Sequence, residues 1–229
     1  MMAPNVILFH GSSVIVEKPL LTKGKPNNDY GRGFYCTENV ELAREWACRT
    51  MLGGFVNTYE LSTKGLAILK LEAPDHGILE WLALLVSHRS FSPRGEFAVN
   101  AKAYLTENFL PDTAPYDIIK GYRADDSYFS FAADFLSNAI SLSKLQKAMR
   151  LGKLGEQIAL ISNAAFNNLT FRGAEVADGA IYYAKRHERD EQARNAYFNE
   201  RQNTPAILGD IYMIDIMRGE MKKDDARLR

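Results

Sequence analysis

The sequence predicts an α+β protein, and three observations carry that expectation. Short apolar runs of strand length are interspersed with amphipathic stretches of helical length. They lack the regular strand–helix–strand spacing that a doubly wound parallel sheet requires. The chain has 229 residues, 46% of them hydrophobic, enough for one sizeable core. The expected organisation is a domain over residues 1–175 with helical insertions, and a helical extension over residues 176–229 packed on it.

Taken in order, Val6 to Phe9 is an apolar run that reads as a buried strand stopping at His10. Residues 19–31, with two prolines, two glycines and Asn27-Asn28-Asp29, have loop chemistry. Phe34 to Cys36 is strand-like. Thr37 or Asn39 can cap the helix that follows, with Glu38 and Glu41 near its positive end. Val40, Ala43, Trp46 and Ala47 fall on one face of that helix. Phe55 to Leu61 and Leu66 to Leu71 read as two strands joined by the turn Ser62-Thr63-Lys64-Gly65.

Helices are predicted for Ile78 to Val86 and Ala98 to Phe109, separated by the breaker Ser92-Pro93-Arg94-Gly95. Tyr116 to Ile119 reads as a strand. Asp125 or Asp126 can cap a helix running to about Ile140, and a short helix is expected from Leu145 to Leu151. Gln157 to Ile161 reads as a strand entered from Gly152 to Glu156. A long polar helix from Ile181 to about Gln202 is broken by Pro205, and Ile207 to Glu220 reads as a last helix.

Lys plus Arg equals Asp plus Glu at 28 each, so no global field points to nucleic acid or an anionic membrane. No apolar run reaches the roughly 18 residues of a membrane span, and no signal-peptide pattern opens the chain, so the cytoplasm is the expected compartment. Cys36 and Cys48 are the only cysteines, too few for a disulfide framework or a thiolate metal site. His10, His76, His88 and His187 show no paired ligand spacing, so no metal is expected. Ser12 and Ser13 lack the turn signature of a hydrolase nucleophile.

The stretch richest in chemistry is Gly31-Arg32-Gly33-Phe34-Tyr35-Cys36-Thr37 with Trp46 downstream. Glycines flanking an arginine at a strand entry allow close backbone approach, and the two rings could hold a flat heteroaromatic ligand. Both rings could equally be core. His10 at a strand end, followed by Gly11, could bond a sugar hydroxyl or simply pack. Glu156 and Gln157 open the late strand, where adjacent side chains point to opposite faces, so only one should enter a given cleft.

In this order the segments resemble the ADP-ribosyltransferase superfamily, specifically its His-Tyr-Glu class of poly-ADP-ribose polymerases and diphtheria-like toxins. The chain is most similar to a bacterial branch in which a segment like Leu8-Phe9-His10-Gly11-Ser12 precedes one like Asp29-Tyr30-Gly31-Arg32-Gly33-Phe34-Tyr35-Cys36-Thr37. A second aromatic follows the tyrosine by eleven residues, here Trp46. Tyr116 to Gly121 and Ala124-Asp125-Asp126 resemble the branch's central strand and following helix. The likeness spans residues 6 to about 171.

The resemblance implies a split β-sheet core with surrounding helices and a cleft holding NAD as co-substrate. It implies that His10 contacts the adenosine-side ribose, that Gly11 and Ser12 lie at the donor site, and that the Gly11 backbone holds the nicotinamide amide. Gly33 would admit the donor, and Tyr35 and Trp46 would sandwich the nicotinamide. The loop between Ser12 and Asp29, with Lys23 and Lys25, would cover it. Ala43 stands where polymerases often have a serine, which removes one donor-site hydrogen bond. The catalytic glutamate of the class corresponds to Glu156 by strand pattern, whereas the bacterial branch carries a glutamine at the motif position, which would be Gln157. The expected activity is mono-ADP-ribosylation of a macromolecular acceptor, protein or nucleic acid. A toxin or conflict role with a neutralising protein partner fits the branch. A weak NAD-binding module and an NAD glycohydrolase are the alternatives.

Overall fold

Several helices begin where a side chain satisfies the first free backbone groups. Asn39 Oδ1 accepts the N–H groups of Glu41 and Leu42, which starts a helix at Val40. Ser141, Ser162 and Asp178 play the same part further on. The computed structural model describes residues 5–72, 77–90, 93–124, 126–149, 155–203 and 207–228.

The first part of the chain holds β1 (Asn5–Ser12), β2 (Phe34–Cys36), α1 (Val40–Ala47), β3 (Gly54–Ser62) and β4 (Ile68–Lys70). Next come α2 (Ile78–His88), α3 (Glu96–Phe109), β5 (Ile118–Tyr122), α4 (Asp126–Leu136) and α5 (Leu142–Ala148). The remainder is β6 (Glu156–Leu160), α6 (Asn163–Asn167), β7 (Leu169–Ala177), α7 (Gly179–Asn203) and α8 (Met213–Arg218). The fold is therefore α+β, as expected.

The chain divides into two units, each assembled from three segments. The first comprises Met1–Lys70, Thr113–Arg123 and Gly155–Arg189, and contains every described strand. Its strands form two sheets, β1-β3-β7 and β2-β6-β5-β4, antiparallel except for the β4–β5 pair. Among the described residues one isolated bridge, between Phe9 and Thr37, links them, with N–H···O distances of 2.8 and 3.0 Å.

One core draws on both sheets: Val6, Leu8, Tyr59 and Leu61 from one, Phe34, Cys36, Ile118, Ile158 and Leu160 from the other. Full burial of each large apolar side chain is worth about 1.5–3 kcal/mol. Phe34 meets Tyr59 edge-on, ring centroids 5.4 Å apart. A second cluster packs Ala43, Ala47 and Cys48 against Val56, Ala177 and Phe9. Small residues let α1 lie close to β1. A Cβ on Gly11 would sit 2.0 Å from the Ala43 carbonyl oxygen and 2.5 Å from the Ala47 nitrogen, so this position tolerates only glycine.

The second unit, Leu71–Asp112, Ala124–Leu154 and Asp190–Arg229, is helical in its described residues. Trp81, Phe109, Phe131 and Phe135 are buried there. Phe131 packs on Tyr197, whose hydroxyl donates to Asp134 at 2.6 Å.

Several expectations require correction. The strand containing His10 runs on to Ser12. The strands on either side of Ser62-Thr63-Lys64-Gly65 form but do not pair; β3 joins β1 and β7 while β4 crosses to β5. The expected helix ending near Ile140 stops at Leu136, because Asn138 takes a positive φ of 65° and the Ala139 N–H turns back to the Asp134 carbonyl. The last predicted helix shrinks to α8, since Gly209 at φ 83° closes a turn ahead of it. Strand β7 was not foreseen. Asp125, His76, Ser92 and residues 151–154 lie outside the described residues.

Candidate functional site

Strand register decides which candidate side chains share a face. Tyr35 pairs with Ala159, and Gly121 pairs with Gln157 two residues along the same strand. Directly paired residues point the same way and the period is two, so Tyr35, Ala159 and Gln157 lie on one face of the sheet. Glu156, paired with Tyr122, lies on the other. Continuing the Phe9–Thr37 bridge by two residues sets Gly11 opposite Tyr35, on that same face. Helix α1 covers Gly11 there, with the Trp46 Cβ 2.8 Å from where a Gly11 Cβ would stand. Four of the expected residues, Gly11, Tyr35, Trp46 and Gln157, thus belong to one face.

Past the bridge, β1 and β2 part. The Tyr35 carbonyl that would have met Gly11 accepts instead from His10 Nδ1 at 2.7 Å. A carbonyl can only accept, so Nδ1 carries the proton and the neutral ring keeps Nε2 as an acceptor. Burial lowers the His10 pKa and the nearby Arg49 charge adds to this, outweighing the Tyr35 hydrogen bond, so the neutral form is favoured. The ring lies against Phe34, centroids 4.3 Å apart. Because Phe9 spends both backbone groups on Thr37, alternation turns those of Gly11 to the same side, toward the parted strand.

The Gly31–Gly33 motif builds the loop that holds Tyr35. Its hydroxyl donates to the Gly31 carbonyl at 2.8 Å and accepts the Tyr30 N–H at 2.9 Å. Gly31 adopts φ 78°, a conformation glycine takes without strain. Arg32 donates to the carbonyls of Thr22 and Gly24 at 3.0 and 2.8 Å, tying the preceding loop down. Gly33 lets the chain approach β6, since a Cβ there would stand 2.9 Å from the Leu160 oxygen.

Trp46 lies under the Arg123 guanidinium, 4.7 Å from the ring centroid. Its buried Nε1 has no hydrogen-bond partner among the described residues. The Tyr35 ring faces Tyr30 at 6.3 Å.

The third motif resolves into two environments. Gln157, 4% exposed, donates from Nε2 to Asp29 Oδ2 at 2.9 Å and to the Tyr122 carbonyl at 3.2 Å. The Tyr30 hydroxyl donates to the same Tyr122 carbonyl. Glu156, its side chain 42% exposed, pairs with Lys120 at 2.5 Å, and Lys120 also meets Glu38 at 2.7 Å. Burial opposes the Lys120 charge, but hydrogen bonds to Glu156 and Glu38 raise its pKa overall.

Three contributors escaped the sequence reading. Asp29 had been noted only as part of a motif. Arg123 follows β5 directly, and its signal was its place at the end of an apolar strand. Asn57 is buried in β3, where its Nδ2 donates to the His10 carbonyl at 3.2 Å and to Ser12 Oγ at 3.0 Å while Oδ1 accepts the Val16 N–H at 2.7 Å. An amide directly after Val56 in the middle of a strand was its visible cue. Ser12 is thus held by Asn57 and itself donates to the Val14 carbonyl at 2.5 Å.

No group of three metal-binding side chains occurs among the described residues. Cys36 and Cys48 are buried free thiols, and burial raises both pKa values. No helix among the described residues is long and apolar enough to cross a membrane.

Residues 6–171 match the model of a family described as a protein of unknown function, DUF3990, and the chain belongs to that family. No curated protein and no solved structure matches it.

Proposed function

We propose that this member of the DUF3990 family is an NAD-dependent mono-ADP-ribosyltransferase, built on the split sheet of that superfamily and acting in the cytoplasm on a macromolecular acceptor. The observation that carries the reading is the set Gly11, Tyr35, Trp46 and Gln157 on one sheet face, beside the place where β1 and β2 part. His10, whose ring lies against Phe34 on the other face, is joined to the Tyr35 backbone at that parting and borders the set.

Each residue has a part that its position supports. The Gly11 N–H and C=O are one donor and one acceptor, the complement of a carboxamide. Tyr35 and Trp46 offer flat faces to the nicotinamide ring, and neutral His10 offers Nε2 to a ribose hydroxyl. In the reaction the bond between the ribose anomeric carbon and the nicotinamide nitrogen breaks, and its electron pair neutralises the pyridinium. The acceptor's lone pair forms the new bond to that carbon, and the acceptor proton leaves to solvent. Positive charge grows on the sugar as in glycoside cleavage. Gln157 orients the ribose through a hydroxyl but carries no charge of its own, which fits transfer of one unit better than chain growth. A toxin or conflict role, with a neutralising protein partner, belongs to the same reading.

Incubation with labelled NAD and cell lysate should move label onto protein or nucleic acid, and Tyr35→Ala should abolish that transfer. Measurable NAD binding with nicotinamide release but no labelled product would point to a glycohydrolase instead. A second reading, an NAD-binding module without turnover, is favoured by one observation: Arg123 lies over the Trp46 ring that the nicotinamide would use. Steady nicotinamide production by the purified protein would exclude it.

A further inference from the structure

Asp29 and Gln157 form a buried pair whose arrangement is chemically one-way. Asp29 is 6% exposed and Gln157 4%. The two Nε2 hydrogens of Gln157 go to the Asp29 carboxylate and the Tyr122 carbonyl, and both are acceptors. Turning the amide over would set Oε1 against two oxygens, so this orientation is the one the partners allow. Oε1 is thereby left as the free acceptor of the amide, and it accepts no hydrogen bond from a described residue. It is an acceptor held ready on the face that carries Tyr35.

We propose that Asp29 is the positioning residue of the third motif: it fixes Gln157 so that Oε1 alone meets a ribose hydroxyl, and it supplies from behind the amide the negative charge that the amide lacks. The proposal rests on the transferase reading above. An acceptor with a carboxylate at its back is more negative than an isolated amide, and charge in a water-poor site is weakly screened. The pair would thus do jointly what a single carboxylate does at a sugar that is becoming positive. The loop carries Asp29 immediately before Tyr30 and Gly31, whose backbone holds the Tyr35 hydroxyl, so one loop sets both the ring and the acceptor.

The test uses the full chain with NAD as the probe, reading nicotinamide release, NAD affinity and the Gln157 side-chain amide resonances. Asp29→Asn keeps an oxygen that can accept from Nε2 and removes the charge. It should lower kcat for release by about tenfold to a hundredfold, with affinity changed by less than about threefold. Adding Gln157→Glu to Asp29→Asn restores a carboxylate at the sugar and should recover most of that loss. Gln157→Glu alone places two carboxylates together and should move the pH profile upward, because one must hold a proton.

An unchanged kcat in Asp29→Asn overturns the proposal and leaves the transferase reading standing. So does a loss that tracks melting temperature and is not recovered by the second substitution, since that is a structural role. If the parent binds NAD and releases no nicotinamide, the transferase reading falls separately. The resonances then decide: a shift of the Gln157 amide on adding NAD that Asp29→Asn abolishes supports the positioning role, and no shift overturns it.

Discussion

Glu156 and Gln157 are neighbours on one strand and live in opposite surroundings. Glu156 stands in a half-exposed ion cluster with Lys120 and Glu38, where water shares the load and salt weakens the pairing. Gln157 is almost fully enclosed, and its amide hydrogens are matched to a buried carboxylate and a backbone carbonyl. The two faces teach that charge alone is a poor guide to a site. The carboxylate that looks catalytic in the sequence stands in a half-exposed ion cluster at the start of its strand, and the neutral amide shares its face with Tyr35.

The largest effect expected from this contrast comes from breaking the enclosed side. Gln157→Leu keeps the bulk but removes the donor that Asp29 and the Tyr122 carbonyl use. A buried carboxylate deprived of one hydrogen bond should cost about 2–3 kcal/mol, read as a lower urea midpoint at unchanged slope. A loss below about 0.5 kcal/mol would mean that the pair adds little to the fold.

His10 gives an intermediate effect with a definite sign. Its folded pKa lies below its ordinary value, chiefly because burial disfavours the charged ring. Above the unfolded value of about 6.5 its contribution to stability is complete. As pH falls below that, the unfolded chain takes up the proton first, and stability is lost until pH passes the folded value. Proton NMR of the His10 ring should show titration below that of a free histidine, and His10→Gln should flatten the fall in melting temperature on acidification. An upward-shifted His10 titration would contradict the buried neutral ring and the Nε2 acceptor it provides.

Much of this was legible in the residues, and what was not has physical causes. Asn39 as a cap, the strand at Phe34 to Cys36 and the loop chemistry around Asn27-Asn28-Asp29 follow from local preferences that tertiary contacts did not override. Strand β7 was hidden because it is the outer strand of its sheet. Arg172 and Glu175 face solvent, and Gly173, at φ 139°, sits where the register with β3 shifts between Thr58 and Tyr59. The alternation Leu169-Thr170-Phe171-Arg172 is too short to read as a strand once that interruption ends it. A good turn links the strands around Ser62 to Gly65, yet partner choice is made by distant strands that a local pattern cannot see. At the site, the period of two said that Glu156 and Gln157 must diverge. Which of them would meet Tyr35 depended on the register of β6 against β2, fixed by Phe34 facing Leu160.

The smallest expected effect is the most useful for the comparison. Glu156→Gln removes one charge from the Lys120 cluster, where Glu38 remains as a partner at 2.7 Å. Exposed pairs contribute about 0–1 kcal/mol, so the melting curve should barely move, and what difference there is should fade at high salt. Nicotinamide release should persist, since nothing on the Tyr35 face has been altered. The pairing of the two variants is what gives the result its weight. If Glu156→Gln abolished release while Gln157→Leu spared it, the reacting group would lie at the exposed start of β6. The cleft would then have to be sought around Lys120 and Glu38, with Glu156 as its acid.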